Sequence, residues 1–449
     1  MSNISKELNY ENKAVAGGSY RFSKILPNNG SQNVGSSLAS TTESTFDIPS
    51  KCHNWSKSML SFQMTFPDQT GAFANNVHAG CLTMIDRISL TTRGGVHLCD
   101  LNSVGNYSKT VLPFTEKYED FTTRSDNDSG VTDALTLRSG SLFHPGRGGN
   151  QTGISDNTRL ATALPDYTDI SQLIVSAADN DIAIVKVQIP FSMFVHTILA
   201  DARDFFFDDV LQLRIQWAPS NRWGFKQPIA NVANVTGAAS FTVAPSLQNL
   251  SLYLSVESNP DVCQQLVQKV NGGGLNMVIP YVYTYKQATT AGSNAVTVRL
   301  NRSHGKNLLR CYHTCFSNQE NAVRAYENDN VASNKLTNMY SNLNYIRLQD
   351  QTLVCAENED YLFLMDKMKG CTIRNTEMYK YSGNTWIDDW TPHITSEYSE
   401  NDHIESGINL NDQEQIWSIN TQTSVALNQY TFVVTQKLLN ITAGNIMMI

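Results

Sequence analysis

The feature that most constrains this chain is strict alternation of apolar and polar residues, recurring from its first hundred positions to its last twenty. Successive side chains of a strand point to opposite faces of a sheet, so such alternation marks strands with one face buried. Leu60, Phe62, Met64 and Phe66 alternate with Ser61, Gln63 and Thr65. Val185, Val187 and Ile189 do the same around Lys186 and Gln188, as do Leu211, Leu213, Ile215 and Trp217 around Gln212, Arg214 and Gln216. Further on come Leu250, Leu252, Leu254 and Val256, then Val296, Val298 and Leu300, then Phe432 and Val434. Both halves of the chain are therefore expected to be β.

Helical signals are few. Pro260 to Val270 is the clearest: Asn259 can cap it, Pro260 suits a first turn, and Val262, Cys263, Leu266, Val267 and Val270 form one stripe. The run Gly272-Gly273-Gly274 ends it. A weaker turn is expected after Pro190, where Phe194, Ile198 and Leu199 have helical spacing ahead of Asp204-Phe205-Phe206-Phe207-Asp208-Asp209. Each half is thus expected to carry strands plus one short helix.

Length and composition then bound the organisation. A chain of 449 residues fits two large β domains, since all-β barrels commonly run to roughly 200–250 residues. With 41% hydrophobic residues it can build a large core, and wholesale disorder is excluded. The stretch from Trp217 to Val243 loses alternation and reads as a connection, so the boundary is placed near residue 238. The expected division is a polar arm over 1–43, flexible until it docks on a neighbour, a first barrel over 44–237 and a second over 238–449. Two Asn/Asp/Ser/Thr/Gly-rich stretches, 122–180 and 367–412, are expected to be large excursions from the ends of the barrels.

Charged residues make up 16%, against roughly 25% in ordinary soluble domains, so neutral polar groups cover the surface. A net charge of -8 and only scattered basic residues in the arm (Lys6, Lys13, Arg21, Lys24) argue against direct nucleic-acid binding. Met1 to Lys13 has no apolar stretch of a secretory signal, and no window reaches the ~20 apolar residues of a membrane span, so synthesis in the cytosol is expected. Eight cysteines without a CxxC pair read as reduced, buried thiols, and scattered Asn-x-Ser/Thr triplets such as those at Asn106, Asn234 and Asn440 are what an Asn-rich chain generates by chance.

The order of these features carries a resemblance. An arm is followed by an alternating strand after Trp55, then by Asp86-Arg87-Ile88-Ser89-Leu90-Thr91-Thr92-Arg93-Gly94-Gly95 and Asn102-Ser103-Val104-Gly105-Asn106-Tyr107. Ile189-Pro190-Phe191, the helix before Gly272 and the strand Val296 to Arg302 complete it. From about residue 44 the chain resembles the double jelly-roll major capsid proteins of virophages, polinton-like viruses and other small eukaryotic DNA viruses. The resemblance implies two consecutive jelly-roll barrels, with three chains forming a pseudo-hexagonal capsomer that tiles an icosahedral shell. It further implies a virion capsid location after synthesis in the host cytosol. The implied partners are other copies of the chain, penton and minor capsid proteins, and an internal membrane where the shell encloses one. The chain is shorter than many such proteins, which leaves the height of any surface towers open.

No constellation for catalysis stands out. HExxH, GxSxG and a phosphate-binding loop are absent from the sequence, and Gly146-Arg147-Gly148-Gly149 lacks the Lys-Ser/Thr that a phosphate cradle needs. No catalytic, cofactor or metal residue is therefore assigned. Cys311-Tyr312-His313-Thr314-Cys315 puts three soft ligands on one face of a strand, yet the inner face of a barrel accounts for them better than a zinc ion. Asp204, Asp208 and Asp209, and Asp126 with Asp128, could offer oxygens to calcium but lack a calcium-loop pattern and read as solvated carboxylates. Trp386, Asp388, Asp389 and Trp390, followed by His393, fit an interface anchor or, less well, a sugar grip. Two rivals to a coat protein stay open: a carbohydrate-binding or adhesive β-sandwich relying on Trp386 and Trp390, and, weaker, a cupin-type enzyme needing a histidine cluster that the nine scattered histidines do not announce.

Overall fold

The alternating segments become strands of five sheets. A computed structural model describes residues 18–28, 33–34, 41–66, 72–74, 80–115, 136–137, 172–173, 183–223, 225–227, 244–288, 290, 296–299, 308–317, 343–348, 351–353, 385–389, 415–419 and 427–449. The first part of the chain supplies β1 (Tyr20–Ile25), β2 (Thr42–Ile48), β3 (His53–Phe66), β4 (Ala72–Ala74), β5 (Ile85–Thr92), β6 (His97–Asn102), helix α1 (Val104–Thr115), β7 (Thr136–Leu137), β8 (Gln172–Leu173), β9 (Ala183–Pro190), β10 (Asp204–Phe205), β11 (Leu211–Trp217), β12 (Phe225–Gln227) and β13 (Ser246–Glu257). Helix α2 (Pro260–Gly272) leads into β14 (Leu275–Ala288), β15 (Val296–Arg299), β16 (Leu308–Ser317), β17 (Leu343–Leu348), β18 (Gln351–Leu353), β19 (Thr385–Asp389), β20 (Gln415–Ile419), β21 (Leu427–Thr442) and β22 (Asn445–Met448).

The first barrel is a six-stranded sheet, β1-β13-β3-β9-β7 with β10 on β3, and a four-stranded sheet, β2-β11-β5-β6. Their inner faces meet where the Phe62 ring stands edge-on to Trp217, centroids 5.5 Å apart. The alternation of β11 is obeyed in full, since Leu211, Leu213, Ile215 and Trp217 are all buried. Trp217 Nε1 donates to Ser44 Oγ at 2.9 Å, so the polar atom of this large core ring has a partner. The second half repeats the plan, with β14-β21-β16-β19 (β22 on β21) and β15-β20-β17-β18. A small third sheet, β12-β4-β8, stands apart from both pairs.

Strand pairing corrects two expected boundaries. Leu250, Leu252 and Leu254 lie on β13, which is hydrogen-bonded between β1 and β3. The first barrel's sheet therefore extends to Glu257, past the expected boundary near residue 238, and the chain crosses over through α2 instead. Local alternation identifies a strand but not its sheet. The expected arm over 1–43 is also shortened. Tyr20 to Ile25 pairs with Glu257 to Leu252, Val34 is buried and bridges Leu247, and β2 begins at Thr42. Residues 1–17 lie outside the described residues, as do most of the stretches 122–180 and 367–412.

The helix expected from Pro260 forms. The Asn259 side chain accepts from Asp261 N at 3.0 Å, and Gly273 is its C-cap. Gly274 follows at φ +81, a left-handed conformation suited to glycine. The weaker turn after Pro190 is two short 3-10 turns, Phe191–Met193 and Ile198–Ala200. Helix α1 departs from the expectation of one helix per half. Its buried Val104, Tyr107 and Val111 are a short stripe diluted by Gly105, Asn106 and Ser108, which carry little helical propensity. Tertiary contact favours it: a Cβ on Gly105 would come within 2.9 Å of Thr83 Cα, so the helix lies directly on the preceding turn.

Candidate interaction surfaces

The two barrels meet along a seam built from β6 and α1 on one side and β14, β16 and β21 on the other. On β21 the period of two gives one face to Tyr430, Phe432 and Val434, all buried. Tyr312 and Thr284 are the register partners of Phe432 on β16 and β14, so they share that face. Tyr107 of α1 meets Phe432 edge-on with centroids 5.1 Å apart, and its hydroxyl donates to Val195 O at 2.9 Å. His196, next in the chain, adopts φ 56 and lies with Nε2 3.3 Å from the Tyr312 hydroxyl. Thr284 Oγ1 donates to Asn102 O at 3.3 Å, tying the edge strands β6 and β14 together.

Charge lines the same seam. Arg87 on β5 makes a two-pronged pair with Asp100 on β6, at 2.7 and 2.8 Å. Burial, with Cys99 and Asp100 nearby, raises the Tyr281 hydroxyl well above its ordinary value and keeps it a neutral donor. Lys437 Nζ sits 4.2 Å from the Tyr281 ring centroid and 5.0 Å from that of Tyr283, a cation over two faces, and its burial lowers its pKa. Arg203 Nη2 reaches across to Val278 O at 2.7 Å.

Beyond Arg203 the same sheet face continues without cover from the first barrel. Val278 pairs with Leu438, and Leu438 exchanges two 3.0 Å backbone hydrogen bonds with Ile449, so the three side chains form one row. Met447 stands in the next row, opposite Asn440. These four are 41%, 41%, 73% and 44% exposed, respectively. The opposite face of the same strands is buried, with Ile279, Leu439 and Ile441 in the core. A second exposed apolar pair, Phe22 and Leu26, lies on and just after β1, with Phe22 edge-on to Tyr253. Sequence reading missed both surfaces. For the first, the signal was present as adjacent apolar pairs that break alternation: Met277-Val278, Leu438-Leu439 and Met447-Met448.

The residues singled out from sequence fare as follows. Cys311 is fully buried, as the inner-face reading expects, while the side chains of His313 and Cys315 lie outside the described residues. Strand pairing sets His313 opposite Trp386 and Cys311 opposite Asp388, so two motifs distant in sequence are register neighbours on β16 and β19. Trp390, His393, Asp126 and Asp128 fall outside the described residues. The Asp204 group does not converge. Asp204 accepts from Tyr20 Oη at 3.0 and 3.1 Å and from Asn54 Nδ2 at 3.0 Å, whereas Asp209 caps the backbone of Arg93 and Val210. Phe205 and Phe207 are buried and stacked. Among the described residues no cluster of three or more metal-ligating side chains occurs.

Two sheet pairs side by side in one chain define the fold class: a double jelly roll. No family model and no curated protein sequence matches the chain. Solved structures do. The chain is similar to the PBCV-1 virus capsid at TM-score 0.54 and 11% identity, covering 97% of this chain and 98% of that one. It is similar to the Faustovirus major capsid protein at TM-score 0.52 and 10% identity, covering 97% and 92%. The Sputnik virophage structure gives TM-score 0.50 and 12% identity, covering 100% and 92%. At such identities the likeness is one of fold, and it extends over nearly the whole chain.

Proposed function

We propose that the chain is a viral major coat protein that assembles as a pseudo-hexagonal homotrimer and tiles an icosahedral shell. The observation that carries this reading is end-to-end similarity in fold to the PBCV-1, Faustovirus and Sputnik capsid structures, with both barrels in one chain. A packed and hydrogen-bonded seam between the barrels supports it, because a capsomer wall needs the two barrels to act as one block. The exposed apolar rows at Val278, Leu438, Met447 and Ile449 and at Phe22 and Leu26 supply two unlike patches. Unlike patches make heterologous contacts, which close into rings when the rotation between copies allows. Each contact gains mainly from apolar area removed from water, about 25 cal/mol per Å² before the costs of association.

On this reading the protein acts by packing rather than by catalysis, resides in the virion capsid after synthesis in host cytosol, and has penton and minor capsid proteins as further partners. The test is the mass of the purified protein by light scattering, followed by negative-stain microscopy. The expected result is a particle of three times 49.9 kDa with a hexagonal outline. A stable monomer at capsid-forming concentrations would overturn the proposal.

A further inference from the structure

Two cysteines far apart in sequence meet where the first barrel hands over to α2. Cys52 immediately precedes β3 and is buried, whereas Cys263 sits in the first turns of α2 and is half-buried. The Cys52 thiol donates to Cys263 O, with Sγ 3.8 Å from that oxygen. The backbone around them is held on both sides. Glu257 N donates to Cys52 O at 2.9 Å, Cys263 N to Asn259 O at 3.1 Å, and the Cys263 thiol points at Glu257 O at 3.4 Å. The two thiols thus point at carbonyls of one short stretch, Cys52 at Cys263 O and Cys263 at Glu257 O, which brings both sulfurs to one small region.

We propose that Cys52 and Cys263 are a disulfide-forming pair that staples the inter-barrel helix to the first barrel once the protein leaves a reducing environment. The oxidant is a small-molecule disulfide such as oxidised glutathione. The more accessible Cys263, as thiolate, attacks one sulfur of the oxidant, forming a mixed disulfide and releasing one thiol. The Cys52 thiolate then displaces the second thiol from Cys263. One sulfur–sulfur bond forms as one is broken, the two cysteines lose two electrons to the oxidant, and their two protons end on the released thiols. Burial first, then the Cys263 hydrogen bond, pushes the Cys52 pKa up to about 12, so the second step is slow at neutral pH and accelerates as pH rises.

The consequence is mechanical. Helix α2 packs Val270 into the core and lies against β21 of the second barrel. A bond from its first turns to the start of β3 closes a loop of more than 200 residues. Loops that long restrict the unfolded chain strongly, so the oxidised protein is expected to melt about 5 °C or more above the reduced one.

The experiment treats the full-length folded protein with excess oxidised glutathione at pH 7 and pH 9, then maps peptides without reduction and records melting. The expected result is a linked Cys52–Cys263 peptide, two hydrogens lighter than the reduced pair, that forms faster at pH 9 and accompanies the higher melting temperature. Cys263→Ser, a change at a half-buried site, should melt as the reduced protein does and show no rise after oxidation. Persistent reduced thiols, glutathione on Cys263 without linkage, or linkage without a melting shift would each overturn the proposal. The oligomer mass is not the readout, so this outcome is separable from that of the coat-protein test.

Discussion

Acidification should weaken the first barrel through one side chain. His53 opens β3 fully buried, its ring 4.4 Å centroid to centroid from Trp55 and 5.9 Å from Phe207. Its Nδ1 lies 2.7 Å from Lys51 O, and among the described residues its Nε2 has no hydrogen-bond partner. Burial lowers its pKa from 6.5 to about 4, so the folded state holds it neutral. In the unfolded chain it binds a proton below about pH 6.5. Between that pH and 4 the unfolded state therefore holds more protons, and stability falls as pH falls. The full difference, at about 1.36 kcal/mol per pH unit, amounts to about 3 kcal/mol, lost progressively across this window and constant below it. The assay is the denaturant midpoint as a function of pH for the wild-type chain and for His53→Gln, which cannot titrate. The variant should start less stable, because its side chain fits the aromatic pocket poorly, but its stability should change less between pH 6.5 and 4. Parallel losses in the two proteins over that range would refute the reasoning.

Three further outcomes are expected. Gly274→Ala should cost about 1–3 kcal/mol by denaturant unfolding, since φ is +81 and the new Cβ would stand 2.7 Å from Thr442 Cγ2. Phe432→Ala should cost about 3–5 kcal/mol and separate the melting of the two barrels in calorimetry, because it removes the ring against which Tyr107 and Tyr430 pack. Leu438→Lys, at a site 41% exposed, should leave the melting temperature of the folded chain within about 2 °C while reducing the fraction of the proposed trimer in light scattering. An unchanged trimer would show that this apolar row is not an assembly contact.

Much of the fold was legible because alternation is a local property. β3, β9, β11, β13, β15 and β21 carry it over at least part of their length, and the caps of α2 were readable from Asn259, Pro260 and the glycines after Lys269. What alternation lacks is partnership. Leu250 to Val256 reads as a strand wherever it goes, and only pairing with His53 and Tyr20 neighbours assigns it to the first barrel. The seam was hidden for a related reason. Tyr107, His196 and Tyr312 are individually unremarkable residues, and His196 becomes a contact only through a left-handed backbone that no residue pattern announces. The Cys52–Cys263 approach likewise joins positions 211 apart.

The position of β13 also sets an order of events during synthesis. Tyr20 pairs with Glu257, and Ser19 N donates to the Glu257 carboxylate at 2.8 Å, so the first strand to leave the ribosome waits for one made after more than half the chain. Until then β3 presents one long unpaired edge, and β1 has no sheet to join. Such closure over long sequence separation is slow and exposed to wrong partners. A chain ending at residue 238 would hold most of the first barrel's residues yet remain open along that edge, whereas one with residues through Glu257 free to pair could seal it. That interval is when neighbouring molecules are most able to join at the wrong edge.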